Sequence, residues 1–273
     1  MTGGVPVDLS GPGQVVLIVV VGLLGVIIGS FLNVVIVRVP AGKSVVRPRS
    51  ACPACGRPIG ERDNIPVLSW VLLRGRARCC GEPISGRYPL VELGTGVAFG
   101  AVAASTGLSW RLPAMLYLAA ISIALALIDI DVHRLPDAIV LPSYPIAAAL
   151  LTLAALAEGD PRRLLGAAIA GLCLFGFYFL LWLVYPRGMG FGDVKLAGVL
   201  GLYLGWFGWE YAVCGAFFGF LLGGLVGILL MVLGRAGRKT QIPFGPYMIV
   251  GAWLALAWAQ PISDWYLRSS GIS

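Results

Sequence analysis

"QVVLIVVVGLLGVIIGSFLNVVIV", residues 14–37, is a run of 24 residues with no charged side chain. A helix of about 20 apolar residues crosses the hydrocarbon core of a bilayer, so the run reads as a membrane span. It lacks a basic stretch before it and a small-residue cleavage site, which predicts a retained helix and not a removable leader. The rest of the chain repeats the pattern. Of its 273 residues, 58% are hydrophobic and only 12% are charged, and mean hydropathy is +0.89. A soluble domain of this size needs more charge on its surface. Leu/Val/Ala/Gly runs of this length do not alternate as barrel strands do, so the spans are helical.

Eight spans are predicted, at about 14–37, 89–106, 112–130, 137–157, 163–185, 193–208, 211–233 and 244–260. The fold class is therefore an all-α polytopic membrane protein with about eight transmembrane helices. A small cysteine-containing domain, residues 38–88, lies between the first and second. The expected organisation is 1–37 for the N-terminal segment and first helix, 38–88 for the basic, cysteine-containing domain, and 89–273 for a seven-helix membrane domain.

Lysine and arginine set the orientation. Residues 38–88 hold ten of them against Glu61, Asp63 and Glu82, a net charge of +7. The segment is read as cytoplasmic and the N-terminus as outside. The loops holding Arg134, Arg187 and Arg235–Arg238–Lys239 then also fall inside. Sixteen of the twenty basic residues are cytoplasmic on this count, and only Arg111, Arg162, Arg163 and Arg268 lie outside. The basic loop attracts anionic headgroups; no nucleic-acid partner is expected, since the positive-inside bias accounts for the charge.

Ionisable residues at a span are functional candidates. "LIDIDVHRLPDAI" carries Asp129, Asp131 and Asp137, and "GMGFGD" carries Asp193. Asp129 ends the third span and Asp193 starts the sixth, so both reach the same depth on the cytoplasmic side. Two close carboxyls share one proton. One activates a water while the other protonates or polarises a scissile carbonyl. Gly190 and Gly192 are expected to admit close backbone approach and unusual dihedrals beside Asp193. Asp193 as a helix cap or a partner of Lys195 is the plainer reading, although positions two apart do not share a helix face. Asp137, after Pro136, reads as a helix cap. Asp131 reads as solvated or paired with His133 or Arg134. His133 is the only histidine, which excludes a multi-histidine metal site. Glu92, just inside the second span, is a candidate to support the site or to hydrogen-bond between helices.

Cys52, Cys55, Cys79 and Cys80 fall in "CPACGRPI" and "RCCGEPIS". This pattern reads as a structural zinc knuckle, the alternative being reduced thiols in a loop folded on the membrane domain. The second pair is adjacent, which asks for a tight turn. A segment of some fifty residues has little core of its own, and a metal would staple it. Cys173 and Cys214 read as packing residues.

These motifs together resemble the type IV prepilin peptidases, the leader peptidase/N-methyltransferases. "GSFLNVVIVRVP" (29–40), "CPACGRPIGERDNIPVLSWVLLRGRARCCGEPISGRYPLVE" (52–92), "DIDVHRLPD" (129–137), "GMGFGDVKLAG" (188–198) and "PFGPYM" (243–248) carry the resemblance. It implies an aspartic endopeptidase of the GxGD type in the bacterial cytoplasmic membrane. Its substrates would be type IV prepilins or type II secretion pseudopilins, cut after a glycine on the cytoplasmic side. N-methylation of the new N-terminus would follow, with S-adenosylmethionine as methyl donor. The family's two catalytic aspartates map onto Asp129 and Asp193, with Gly190, Gly192, Lys195 and Glu92 as active-site support. Members with the cytoplasmic domain usually have C-R-x-C where this chain has Ala77, Cys79 and Cys80, so Cys79 would stand in for the missing ligand. The residues that hold the methyl donor are not readable. Two other classes fit the composition: a proton- or cation-coupled transporter and a non-catalytic assembly scaffold. A transporter would put its carboxylates at mid-membrane within broken helices. A scaffold would tolerate loss of both aspartates.

Overall fold

A computed structural model describes residues 11–52, 54–186, 188–234 and 242–270, with the backbone alone at Glu61. Arg187, Arg235, Arg238 and Lys239, counted above as cytoplasmic, lie outside the described residues. Among the described residues the secondary structure is helical, with no strand beyond two isolated bridges, Ala51–Pro58 and Arg76–Pro83. The helices are α1 (Pro12–Arg38), α2 (Leu68–Leu72), α3 (Arg87–Thr106), α4 (Leu112–Val132), α5 (Asp137–Ala157), α6 (Arg162–Val184), α7 (Phe191–Phe207), α8 (Trp209–Val232) and α9 (Gly245–Ser269). A single 3-10 turn at Glu61–Asn64 precedes α2.

The long helices fall on the eight expected spans. The difference is at the end, where α9 runs on to Ser269 and not only to 260. Pro261 lies inside it without ending it. Six helices, α1, α3, α4, α5, α6 and α8, are long and apolar enough to cross a bilayer. α9 is diluted by Trp253, Trp258, Gln260 and Pro261. α7 has only 17 residues and is buried on most of its surface. It packs against α5, α6, α8 and α9, so protein rather than lipid surrounds it, and length to match a bilayer is not required of it.

The chain divides into two compact units within α4, between Ala124 and Leu125. In the first, α1 packs on α3 through small residues. A Cβ on Gly25 would stand 2.7 Å from the Thr95 carbonyl, and one on Gly29 would stand 2.8 Å from the Glu92 Cα. Lipid tails are as apolar as the helices, so such seams hold by close backbone approach and not by the hydrophobic effect. In the second unit the same device joins α6 to α7: a Cβ on Gly201 would meet the Ala170 carbonyl at 2.7 Å. Away from these seams the helices turn large apolar side chains outward, as with Val15, Val19, Leu23 and Ile27 on α1. The whole is a multi-pass membrane protein.

Candidate active site

Asp129 and Asp193 both lie in the second unit, and both are buried, at 4% and 6% exposure. Asp129 sits in the last turn of α4. Its Oδ2 accepts a hydrogen bond from the backbone amide of Gly245, at 3.0 Å. Gly245 is the first residue of α9, where amides have no partner within the helix. Asp193 is the third residue of α7. Its Oδ2 accepts from the amide of Gly190 at 3.0 Å, and its own amide donates back to the Gly190 carbonyl at 3.1 Å. The capping reading of Asp193 is therefore fulfilled, and it does not exclude a second role. Each carboxylate has one oxygen fixed by an amide at a helix start, where the helix dipole favours negative charge. The two lie within Coulombic reach of one another.

What brings them together is the link after α4. The His133 amide donates to the Asp129 carbonyl at 2.8 Å, and His133 takes a left-handed φ of +52° that turns the chain off the helix axis. Leu135 is then buried between two helix starts. A Cβ on Gly192 would stand 2.9 Å from the Leu135 Cβ, and one on Gly245 would stand 3.4 Å from the Leu135 Cδ1. So Gly192 lacks a side chain because α7 must close on the Leu135 link. Gly190 has φ −75° and ψ 147°, an extended geometry open to any residue, so the expectation of unusual dihedrals is not met there. Tyr178 of α6 lies within Coulombic reach of Asp193 and stacks on Phe220 at 5.3 Å.

Lys195 does not pair with Asp193. Its Nζ lies 2.6 Å from Asp137 Oδ1 and 5.0 Å from the Phe191 ring centroid. Asp137 accordingly makes no side-chain cap; Pro136 holds the cap position of α5, and Asp137 sits in the first turn. The Tyr144 hydroxyl donates to the Lys195 carbonyl at 2.7 Å, a second tie from α5 to α7. The Asp137 side chain is more than half exposed, so Asp137→Asn is expected to cost under about 1 kcal/mol in thermal melts of the purified protein. A loss of several kcal/mol would mean that this pair, and not Tyr144 and packing, holds α5 on α7. Asp131 is exposed. Glu92 belongs to the first unit, where its Oε2 accepts from the amide of Val67, the residue before α2, at 2.7 Å. Sequence reasoning missed Gly245, Leu135 and Tyr144; the glycine within "PFGPYM" was the one visible signal.

The cysteines form a separate site in the first unit. All four sulfurs lie within 4.8 Å of one another. Cys52 to Cys80 is 3.6 Å, Cys55 to Cys79 is 3.3 Å and Cys79 to Cys80 is 3.8 Å. Four thiolates around a zinc at about 2.3 Å are separated by about 3.8 Å, so the cluster has the dimensions of a tetrahedral site. Two matching turns build it. In the first, the Cys52 amide donates to the Arg57 carbonyl and the Gly56 amide to the Cys52 carbonyl. In the second, Ala77 and Gly81 repeat both bonds, with Glu82 in place of Arg57. Ala77 thus stands where Cys52 stands in the first turn, and Cys79 supplies the sulfur from a neighbouring position. Neither Cys79 nor Cys80 has a positive φ, so the adjacent pair reaches inward without backbone strain. The amides of Cys55 and Ala54 donate to the Cys52 sulfur and bring its pKa down from 9.0 to about 6, which keeps it in the metal-binding thiolate form. Cys79, pressed against the other thiols and first of all Cys55, is pushed up to about 12. A fourth thiolate in so tight a group calls for a cation.

The fold and this geometry define a class: a polytopic helical membrane protein with a buried pair of carboxylates. The sequence profile of the "type IV leader peptidase family" matches residues 116–232, and that of the "bacterial peptidase A24 N-terminal domain" matches residues 23–106. A prepilin leader peptidase/N-methyltransferase of Stutzerimonas stutzeri is 34% identical, over 96% of this chain and 98% of its own. The proteins of that name from Pseudomonas aeruginosa and Aeromonas hydrophila are each 37% identical, over 91% and 90% of this chain and 93% and 92% of theirs. No solved structure gives a significant match. The chain belongs to the type IV leader peptidase family.

Proposed function

We propose that this chain is an aspartic endopeptidase of the cytoplasmic membrane. It removes the leader of type IV prepilins or type II secretion pseudopilins after a glycine, and then N-methylates the exposed N-terminus. Asp129 and Asp193 are the catalytic pair. The observation that carries the reading is their matched setting: two buried carboxylates, each held through Oδ2 by an amide at a helix start. The pair holds one proton. The ionised member takes a proton from a water as the water attacks the scissile carbonyl, and the protonated member hydrogen-bonds the carbonyl oxygen. Gly192, Gly245 and Leu135 set the approach of the two helix starts. Lys195, tied to Asp137, supports α7 from outside the pair.

The working topology has eight spans, the N-terminus outside and residues 38–88 cytoplasmic, with 89–273 as the peptidase domain. The substrate's apolar segment packs laterally among the spans while its basic leader stays in the cytoplasm. S-adenosylmethionine supplies the methyl group. The cavity lined by Leu174, Tyr178, Ala197, Leu200, Met248 and Ala252 is apolar and has no charged side chain to receive such a donor.

The test is a prepilin-like peptide with a Gly–Phe junction, given to the reconstituted protein with and without S-adenosylmethionine and followed by mass spectrometry. Cleavage after glycine supports the peptidase, and a product heavier by one methylene supports the transferase. No cleavage by folded protein sinks the reading and returns the transporter and scaffold classes.

Cys52, Cys55, Cys79 and Cys80 would hold a structural zinc that closes the two turns on one another. Cys79→Ser is then expected to drop bound zinc from about one per chain to far below it. Because Ala77 occupies the matching place in the second turn, Ala77→Cys combined with Cys79→Ala should restore it. Zinc content unchanged in Cys79→Ser would remove Cys79 from the ligand set.

A further inference from the structure

α1 ends at Arg38 and α3 begins at Arg87, so the segment between them is tied to the bilayer at both ends. Within it, α2 is too short to stand alone. One side of α2 is engaged. Ser69 is buried, donates to the Arg62 carbonyl at 2.9 Å and accepts from the Ile65 amide at 3.0 Å. Trp70 donates from Nε1 to the Ile84 carbonyl at 3.0 Å and lies over Gly75. The other side carries Leu68, Val71 and Leu72 at i, i+3 and i+4, which share a face, with Ile65 one turn earlier. These four are 50%, 57%, 71% and, for Ile65, 46% exposed. A small domain with little core has turned its apolar stripe outward.

The height of that stripe is fixed by Glu92. Its carboxylate accepts the Val67 amide at the start of α2. Val67 has φ +60°, a strained conformation for a β-branched residue, and the bond to Glu92 fixes it there. Glu92 is five residues into α3, about 8 Å along the axis at 1.5 Å per residue. α2 is therefore pinned beside the first turns of α3, a helix long and apolar enough to cross a bilayer. Arg62, Arg74, Arg76 and Arg78 surround it and are exposed; Arg78 pairs with Asp63 at 2.9 Å.

We propose that α2 is a membrane anchor for the cysteine-bearing segment. Its Ile65–Leu68–Val71–Leu72 stripe beds at the boundary of headgroups and acyl chains, and the arginines around it bind anionic headgroups. An apolar stripe with a basic flank is the chemistry of a helix that lies in a bilayer surface. The inference stands apart from the peptidase reading, since it needs only α1 and α3 to be spans.

The experiment uses the full chain in vesicles of phosphatidylcholine, with or without phosphatidylglycerol. Trypsin cleavage after Arg74 and Arg76 is expected to slow about tenfold when phosphatidylglycerol is present, since each basic residue near the surface contributes roughly fivefold to binding. Leu68→Glu with Leu72→Glu should remove most of that protection while bound metal stays at the wild-type level. A benzoylphenylalanine placed at Leu72 and irradiated should form lipid adducts. Equal cleavage in both vesicles, or adducts with protein segments in place of lipid, would overturn the anchor; the second result would make the stripe a protein-docking face.

Discussion

Asp193→Asn and Asp129→Asn should each cut leader cleavage on the order of 10³-fold while the protein stays folded. The amide of asparagine keeps the shape of the carboxylate. It also keeps an oxygen that can accept the Gly190 amide at Asp193 or the Gly245 amide at Asp129. Packing and capping are thus preserved, and what is lost is the proton that the pair must hold and pass on. The measurement is the cleavage rate of a Gly–Phe prepilin-like peptide in nanodiscs, beside a thermal melt of each variant. Asp131→Asn is the control: Asp131 is exposed and lies two residues from Asp129 on another face of α4, so it should keep most of its activity. Wild-type cleavage by either Asp129→Asn or Asp193→Asn would remove the pair from the chemistry. Equal loss in all three variants would point to a general effect of charge at this helix end.

The helix pattern was legible because hydropathy writes it locally: six of the long helices are runs that a bilayer needs, and the runs are separated by Gly, Pro and charge. Asp129 and Asp193 were legible as candidates because a carboxylate in an apolar run is costly. The reasons for their neighbours were not. Gly245 bonds Asp129 across 116 positions of sequence, and Lys195 reaches Asp137 across 58. No spacing rule carries such pairings. The glycines before Asp193 were read for close backbone approach and for unusual dihedrals, and the first of these holds at Gly192. What the sequence did not show is the partner of that approach: Leu135 occupies the space a Gly192 side chain would need. In the cysteine segment the spacing argued for a strained turn at the adjacent pair. The two turns repeat each other's hydrogen bonds, and that symmetry of backbone, which residue types alone do not reveal, lets Cys79 serve in place of Ala77. α2 was invisible for a related reason: its apolar residues sit in a basic segment that composition marks as a loop.

Gly245→Ala is the sharper test of how the site is held, because it adds one methyl group and no charge. The new Cβ would stand 2.8 Å from Asp129 Oδ2 and 3.4 Å from the Asp129 Cγ, closer than a carbon and a carboxylate oxygen can rest. Asp129 is buried and its side chain is short, so it cannot swing clear without giving up the 3.0 Å bond from the Gly245 amide. Leu135 Cδ1, at 3.4 Å from the same point, blocks a shift in that direction. Either the carboxylate turns or the start of α9 moves away, and in both cases Asp129 loses its orientation toward Asp193. A displacement of this size at reacting groups costs on the order of 10²-fold in rate. The helix itself does not suffer, since alanine is the better helix former by up to about 1 kcal/mol. The expected result is therefore a split: cleavage falls by about two orders of magnitude while the melting temperature holds. Gly224→Ala in α8, where an added Cβ has no neighbour within 4 Å, should leave cleavage unchanged and so separates a local clash from a general intolerance of glycine loss. Full activity in Gly245→Ala would mean that the amide at the start of α9 does not orient Asp129. The fixed carboxylate of the pair would then be Asp193 alone, held by the α7 helix to which it belongs.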